Sequence, residues 1–247
     1  MAAVAGKLTR ADLNRVFARM LFVQATIHRR GMQNLGVLFA LDAVKDHVGG
    51  EGPQGLLAHH GEHFNTNPNM VPVVLGGVLR IEEEGGQNGP ASVSRFKQAC
   101  ASALAAAGDV FFGGGLRPLA LTLACTFAIY RFFPGLVAVL VLYNAALITV
   151  RYRGLSLGYE RGWGLIEAFS SPRVQRALVL ARTGAALAGG WLAGVIATGA
   201  FRQGTRVFIT TAAVAVLAWL AARRGIPASR LALALFPVAW IVALMLH

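Results

Sequence analysis

Acidic residues are scarce. The 247-residue chain has 11 Asp and Glu against 23 Lys and Arg, and past Asp109 only Glu160 and Glu167 remain, with no lysine at all. Charged residues make up 14% of the chain, well below the roughly 25% typical of a water-soluble domain. There are two cysteines, Cys100 and Cys125, both in apolar stretches. That number and spacing argue against a disulfide framework and a cysteine metal site, and no cofactor is expected. There is no Walker lysine motif and no G-x-G-x-x-G, so a nucleotide loop is not expected. The net charge of +12 comes without zinc-finger spacing or aromatic–basic interleaving, which argues against nucleic acid. Its basic residues flank apolar runs instead, a pattern that fits anchoring at a lipid surface. Residues 1–9 lack an apolar core beside their single lysine, so no secretory leader is expected and the first residues are placed in the cytosol.

What is abundant is apolar. Hydrophobic residues make up 55% and the mean hydropathy is positive. The composition predicts an all-α integral membrane protein with amphipathic N-terminal helices, broken or re-entrant helices and C-terminal transmembrane helices. It divides into a more polar part, 1–100, and a membrane-embedded part, 101–247. Residues 8–26 read as an amphipathic helix: Leu13, Val16, Phe17, Met20 and Leu21 recur at helical spacing opposite Arg10, Asp12, Arg15 and Arg19. Thr9 with Asp12 reads as a capping box. Such a helix lies in a membrane interface or packs on its own domain, and the pattern alone leaves both open. Helices are further predicted over 31–48, 56–64 and 71–84, with loops at 49–55 and 85–90. Residues 119–133 and 135–150 are each short for a span of about 20 residues. They predict a re-entrant hairpin or two helices buried in protein. Spans are predicted at 177–201, 207–222 and 231–246.

Several polar residues stand out against this background. Asp109 lies in an apolar, glycine-rich stretch, where an acid is a functional-site candidate by default. Arg117, eight residues on, is its expected ion-pair partner, structural or gating. The glycines at 113–115 are expected to break the helix. Three glutamates in succession, Glu82, Glu83 and Glu84, end an apolar helix and are read as a solvated helix end, a match for arginines or a cavity lining. His59, Glu62 and His63 form H-x-x-E-H, a zinc-peptidase-like pattern. Gln33, Asn34, Asn65 and Asn67 are amides beside apolar segments, and amides both donate and accept, as sugar hydroxyls require.

In order along the chain stand Leu8-Thr9-Arg10-Ala11-Asp12-Leu13, Gln24-Ala25, Met32-Gln33-Asn34-Leu35-Gly36, His60-Gly61-Glu62-His63-Phe64-Asn65-Thr66-Asn67-Pro68, Gly108-Asp109, Leu116-Arg117-Pro118 and Leu157-Gly158-Tyr159. Together these resemble the IID component of the mannose/fructose/sorbose-family sugar phosphotransferase system, over residues 8–160. The resemblance implies a membrane subunit that forms the sugar-translocating unit with a IIC partner. Cytosolic IIA and IIB subunits carry the phosphate, and this chain is neither phosphorylated nor itself an enzyme. It further implies a hexose substrate, a lipid environment, an oligomeric complex and the bacterial inner membrane. On that reading Gln33, Asn34, Asn65, Asn67 and Glu84 are the residues near the sugar path. The sequence also departs from the family: Ile27-His28-Arg29-Arg30-Gly31 replaces an aromatic–glutamate segment, and Asn67 replaces a motif His. These departures favour a rival reading, a IID-like scaffold or regulatory protein without transport, and His59, Glu62 and His63 leave a third, a zinc-dependent membrane hydrolase.

Overall fold

A computed structural model of the chain describes residues 7–47, 60–84 and 90–205, with scattered positions between 208 and 224. The loops expected at 49–55 and 85–90, and the helices expected at 207–222 and 231–246, fall wholly or largely outside the described residues. Residues up to Ala188 form one compact unit, and Gly189–His247 form a second.

The first unit begins with α1 (Arg10–Met20), capped as expected: Asp12 N–H donates to the Thr9 hydroxyl, and Thr9 N–H to the Asp12 carboxylate. The 8–26 helix is shorter than its pattern predicts, giving way to a 3-10 turn at Val23–Thr26. Next comes α2 (Asn34–Leu41). Just before it, Met32 sits at φ +54° in bridges to His28 and Phe64, so the helix expected from residue 31 starts later. Of the predicted 56–64 helix, residues 56–59 lie outside the described residues and His60 is helical; 61–64 are extended, because Phe64 N–H and C=O bond to Gly31 O and Gln33 N.

α3 (Val71–Glu83) starts with Pro72 in its first turn and is buried on all sides from Val71 to Leu79. A helix apolar all round belongs in a core, and α3 is that core. Its wall is the end of α6 (Phe133–Arg161), which crosses it at backbone contact. A Cβ on Gly76 would collide with the Leu155 carbonyl oxygen, and one on Gly158 with that of Val73. Gly154 and Gly158 form the small-xxx-small spacing that lets helices approach this closely.

α4 (Pro90–Gly108) continues without a break through a π-helical segment, Asp109–Leu116, into α5 (Arg117–Ile129). The boundary expected at 100/101 therefore falls inside a continuous helix. The glycines at 113–115 widen that helix rather than break it. A turn at Tyr130–Phe132, with Arg131 at φ +53°, leads into α6. The predicted short pieces 119–133 and 135–150 are thus the facing ends of two long helices. Among the described residues, three helices are long and apolar enough to cross a membrane: Ala91–Ile129, Phe133–Ser170 and Pro172–Gln203. The last contains α8 (Pro172–Gln203), which follows the short α7 (Leu165–Ser170). Leu121, Val137, Leu140 and Leu142 are large, apolar and exposed, as residues facing lipid are. Polar groups on these surfaces close on their own helices: Asn144 donates to Leu140 O at 2.8 Å, and Thr126 to Thr122 O at 2.9 Å. This is how a polar side chain is satisfied where no water reaches.

Candidate functional site: a polar strut between the helices

Residues 61–67 run extended beside α3 and α4. An extended chain alternates its side chains, and here Phe64 and Thr66 point inward while Asn65 faces out and Asn67 is half-buried. Each inward group is met by a different element. Both ends of the Gln33 amide engage Thr66: Gln33 Nε2 donates to Thr66 O at 2.7 Å, and Thr66 N–H to Gln33 Oε1 at 3.0 Å. The Thr66 hydroxyl donates to Ala101 O at 2.9 Å. Asn34 donates to Gly61 O at 2.9 Å, and its Oδ1 lies 3.0 Å from His28 Nε2.

α4 meets this strut along one stripe. Near its start, Ser94 and the buried Lys97 bind the two oxygens of Glu62 at 2.5 and 2.8 Å. Ala101 takes Thr66, and at Gly108 a Cβ would press on the Asn67 side chain. Positions 94, 97, 101 and 108 share a helix face. Five extended steps from 62 to 67 cover about 17 Å, and fourteen helical steps from 94 to 108 cover about 21 Å, so the two are close in length. Gly108 explains the Gly-Asp pair: the glycine admits Asn67, and Asn67 Nδ2 then donates to Asp109 Oδ1 at 2.9 Å. Asn67 Oδ1 accepts from Asn69 N–H, and Asn69 Oδ1 accepts from Arg151 Nε at 2.9 Å. Arg151 ends the charge-free run of α6, so the strut is tied to that helix too.

The residues nominated from sequence therefore separate into three groups. Gln33 and Asn34 are buried and bonded to the strut. Asn65, Asn67 and Asp109 lie on its outer edge at the start of the π segment. Glu84 stands at the far end of α3, about 20 Å away by helical rise, paired with Arg80 at 2.7 Å. The expected Asp109–Arg117 ion pair is not formed: Asp109 bonds to Asn67, and both charged groups are exposed. The three glutamates diverge. Glu82 lies 3.4 Å from His60. Glu83 accepts from Leu8 N–H at 2.6 Å and Tyr159 OH at 2.7 Å, and Glu84 takes Arg80. In the H-x-x-E-H pattern, His59 lies outside the described residues, and Glu62 is engaged by Lys97 and Ser94.

Sequence reasoning missed Lys97 and the α3–α6 crossing. Both had a signal: Lys97 is the last lysine of the chain and follows the apolar Phe96, and Gly154-xxx-Gly158 has the spacing of a close crossing. At the cap of α1, the Thr9 hydroxyl and then the Thr9 amide hold the Asp12 carboxyl down at about 2, with help from Arg15.

A bundle of long apolar helices pinned by an extended polar strut defines a helical membrane protein. Residues 7–198 match the family described as "PTS system mannose/fructose/sorbose family IID component", and the chain belongs to that family. It is 27% identical over 176 residues to the mannose-specific EIID component of Escherichia coli (strain K12), covering 69% of this chain and 62% of that protein. It is 26% identical over 199 residues to the sorbose-specific EIID component of Lacticaseibacillus casei, covering 78% of this chain and 68% of that one. A cryo-electron microscopy structure of the mannose transporter ManYZ with microcin E492 matches with a TM-score of 0.59 and 25% identity, over 77% of this chain and 70% of that chain. The chain thus spans less than two thirds of the length of the E. coli relative it matches.

Proposed function

We propose that this chain is the IID subunit of a sugar-conducting pair formed with a IIC subunit in the bacterial inner membrane, its N-terminus in the cytosol. Cytosolic IIA and IIB subunits would supply the phosphate, so the chain itself performs no covalent chemistry. The observation that carries this reading is the outward-facing edge Asn65–Asn67–Asp109, set beside a π segment in a member of this family. π-helical turns occur mostly as short bulges inside α-helices, frequently at functional sites. Amides and a carboxylate in a row give both donors and acceptors to hydroxyls. Gln33 and Asn34 would act on the path by fixing the strut, and Glu84 would act from the far end of α3. Alternating access would move the path by rocking helices about a fixed polar site. The relatives are named for different sugars, so the choice among hexoses belongs to the test.

A second reading, a IID-like scaffold without transport, draws support from the amides of Gln33 and Asn34, which are already satisfied by the protein. One experiment separates the two. The chain is co-expressed with a IIC partner and the soluble subunits in cells lacking hexose uptake, and accumulation of labelled mannose, glucose, fructose and sorbose is measured. Uptake that falls at least tenfold with Asn67→Ala or Asp109→Asn, while the complex still assembles, supports the transport reading. An assembled complex that accumulates none of these sugars favours the scaffold.

A further inference from the structure

α1, the 3-10 turn after it and α2 leave an apolar face uncovered. Leu21, Phe22, Ile27, Leu35 and Phe39 are each 45–60% exposed. Leu35 and Phe39 share one face of α2, four residues apart. Phe22 and Phe39 pack edge to face with centroids 6.5 Å apart, and the Arg19 guanidinium lies 5.0 Å over the Phe39 ring. The surroundings are basic. Residues 7–47 carry seven Lys and Arg against three Asp. Two of those acids are already paired, Asp12 with Arg15 and Asp42 with Arg19. Arg29 and Arg30 lie two and three residues past Ile27, both exposed.

The depth of this face is set by α6. From 132 to 150 that helix carries no charged residue, and Arg131 and Arg151 bracket the run. Nineteen residues rise about 28 Å, close to the roughly 30 Å of a bilayer's hydrocarbon core. The residue just past the bracket, Tyr152, donates to Asn14 Oδ1 at 3.0 Å and packs edge to face on Phe17 at 5.2 Å. α1 is therefore fastened to α6 where α6 leaves the hydrocarbon.

We propose that this face is an interfacial anchor on anionic lipid: Leu21, Phe22, Ile27, Leu35 and Phe39 enter the headgroup–acyl boundary, and Arg29 and Arg30 meet lipid phosphates. Basic amphipathic surfaces with aromatic residues bind in this way, through buried apolar area plus attraction to anionic headgroups. The anchor would fix the level of α2, and through Gln33 and Asn34 the level of the strut. The proposal rests on α6 crossing the membrane and is independent of sugar conduction.

The test places a nitroxide at Phe22→Cys, Leu35→Cys, Leu140→Cys or Arg161→Cys in a Cys125→Ser background, Cys100 being buried. The full chain is reconstituted in phosphatidylcholine vesicles with and without phosphatidylglycerol. Leu140 reports hydrocarbon, and Arg161, about 14 Å beyond Tyr152 by helical rise, reports water. Expected is intermediate depth at 22 and 35: several-fold protection from a water-soluble relaxation agent relative to 161. Depth should increase with phosphatidylglycerol, and Arg29→Gln with Arg30→Gln should cancel that increase. Water exposure at 22 and 35 equal to that at 161, with 140 in lipid, overturns the proposal. So does protection that appears only when a IIC partner is added, which assigns the face to a protein, or depth indifferent to phosphatidylglycerol. A label at 140 that reads as water-exposed overturns the spanning of α6, and the anchor with it.

Discussion

Asp12 titrates for a local reason. Its ordinary value is 3.8, and the Thr9 hydroxyl and amide hold it at about 2 in the folded protein. A carboxyl depressed by folding stabilises the folded state fully above its unfolded value, and that contribution is lost as the pH falls from about 4 towards 2. Melting temperature measured from pH 7 down to 3 should therefore drop, and Asp12→Asn should flatten the acid limb while lowering stability at neutral pH. Gln33 shows the opposite sensitivity, because its amide satisfies both the N–H and the C=O of Thr66 in a buried site. Gln33→Leu leaves two buried backbone groups unpaired, at about 1–3 kcal/mol each. Chemical or thermal unfolding in detergent should register that loss, whereas Asn65→Ala, at an exposed position, should leave stability within about 0.5 kcal/mol. The two nominated amides thus separate by measurement: one acts on the fold, the other on whatever passes its edge.

At the scale of elements, the α3–α6 crossing rests on glycine. Gly76→Ala or Gly158→Ala drives a methyl group into a carbonyl oxygen of the other helix, and backbone cannot rotate away as a side chain can. The helices must part, at about 3 kcal/mol or more, the upper range for overpacking. Gly184→Ala meets nothing within 4 Å and should be neutral or slightly stabilising, since alanine favours helix by up to about 1 kcal/mol. Size-exclusion profiles after a temperature ramp rank the three. The same elements show what sequence could reveal. The α1 cap, the apolar α3 and the helical class were legible, because capping and hydrophobic periodicity are local. The extended 61–67 segment was not, since its conformation is set by Gln33, thirty-three residues before its bonding partner Thr66. Asp109 was visible as an acid in an apolar run. Its partner was not, because Asn67 lies 42 residues away in the chain, while Arg117, eight residues on, is about 12 Å along the same helix.

For the whole molecule, the exposed apolar surface of the α5–α6 hairpin defines what lipid covers. Cysteines at Leu121 and Leu140 in intact membranes should resist a water-soluble maleimide and react once the chain is denatured. One at Arg131, in the turn between Tyr130 and Phe132, should react in either state. Labelling at 121 and 140 as fast as at 131 would contradict the membrane placement of the hairpin.

The widened winding at Asp109–Leu116 also gives the chain slack in length. A Cβ at Gly113 would meet nothing within 4 Å, so removing this residue takes away no packing contact, and it would return the segment to ordinary α winding. In an ordinary α-helix one lost residue turns everything that follows by about 100°. A π turn closes i→i+5 and so holds an extra residue, and taking that residue out restores α winding with little change of phase. α5 and Arg117 would then face much as they do now, as would Asn67, Asp109 and the strut below them. Most single-residue deletions inside a helix shift everything that follows out of register; at this point the winding absorbs the deletion.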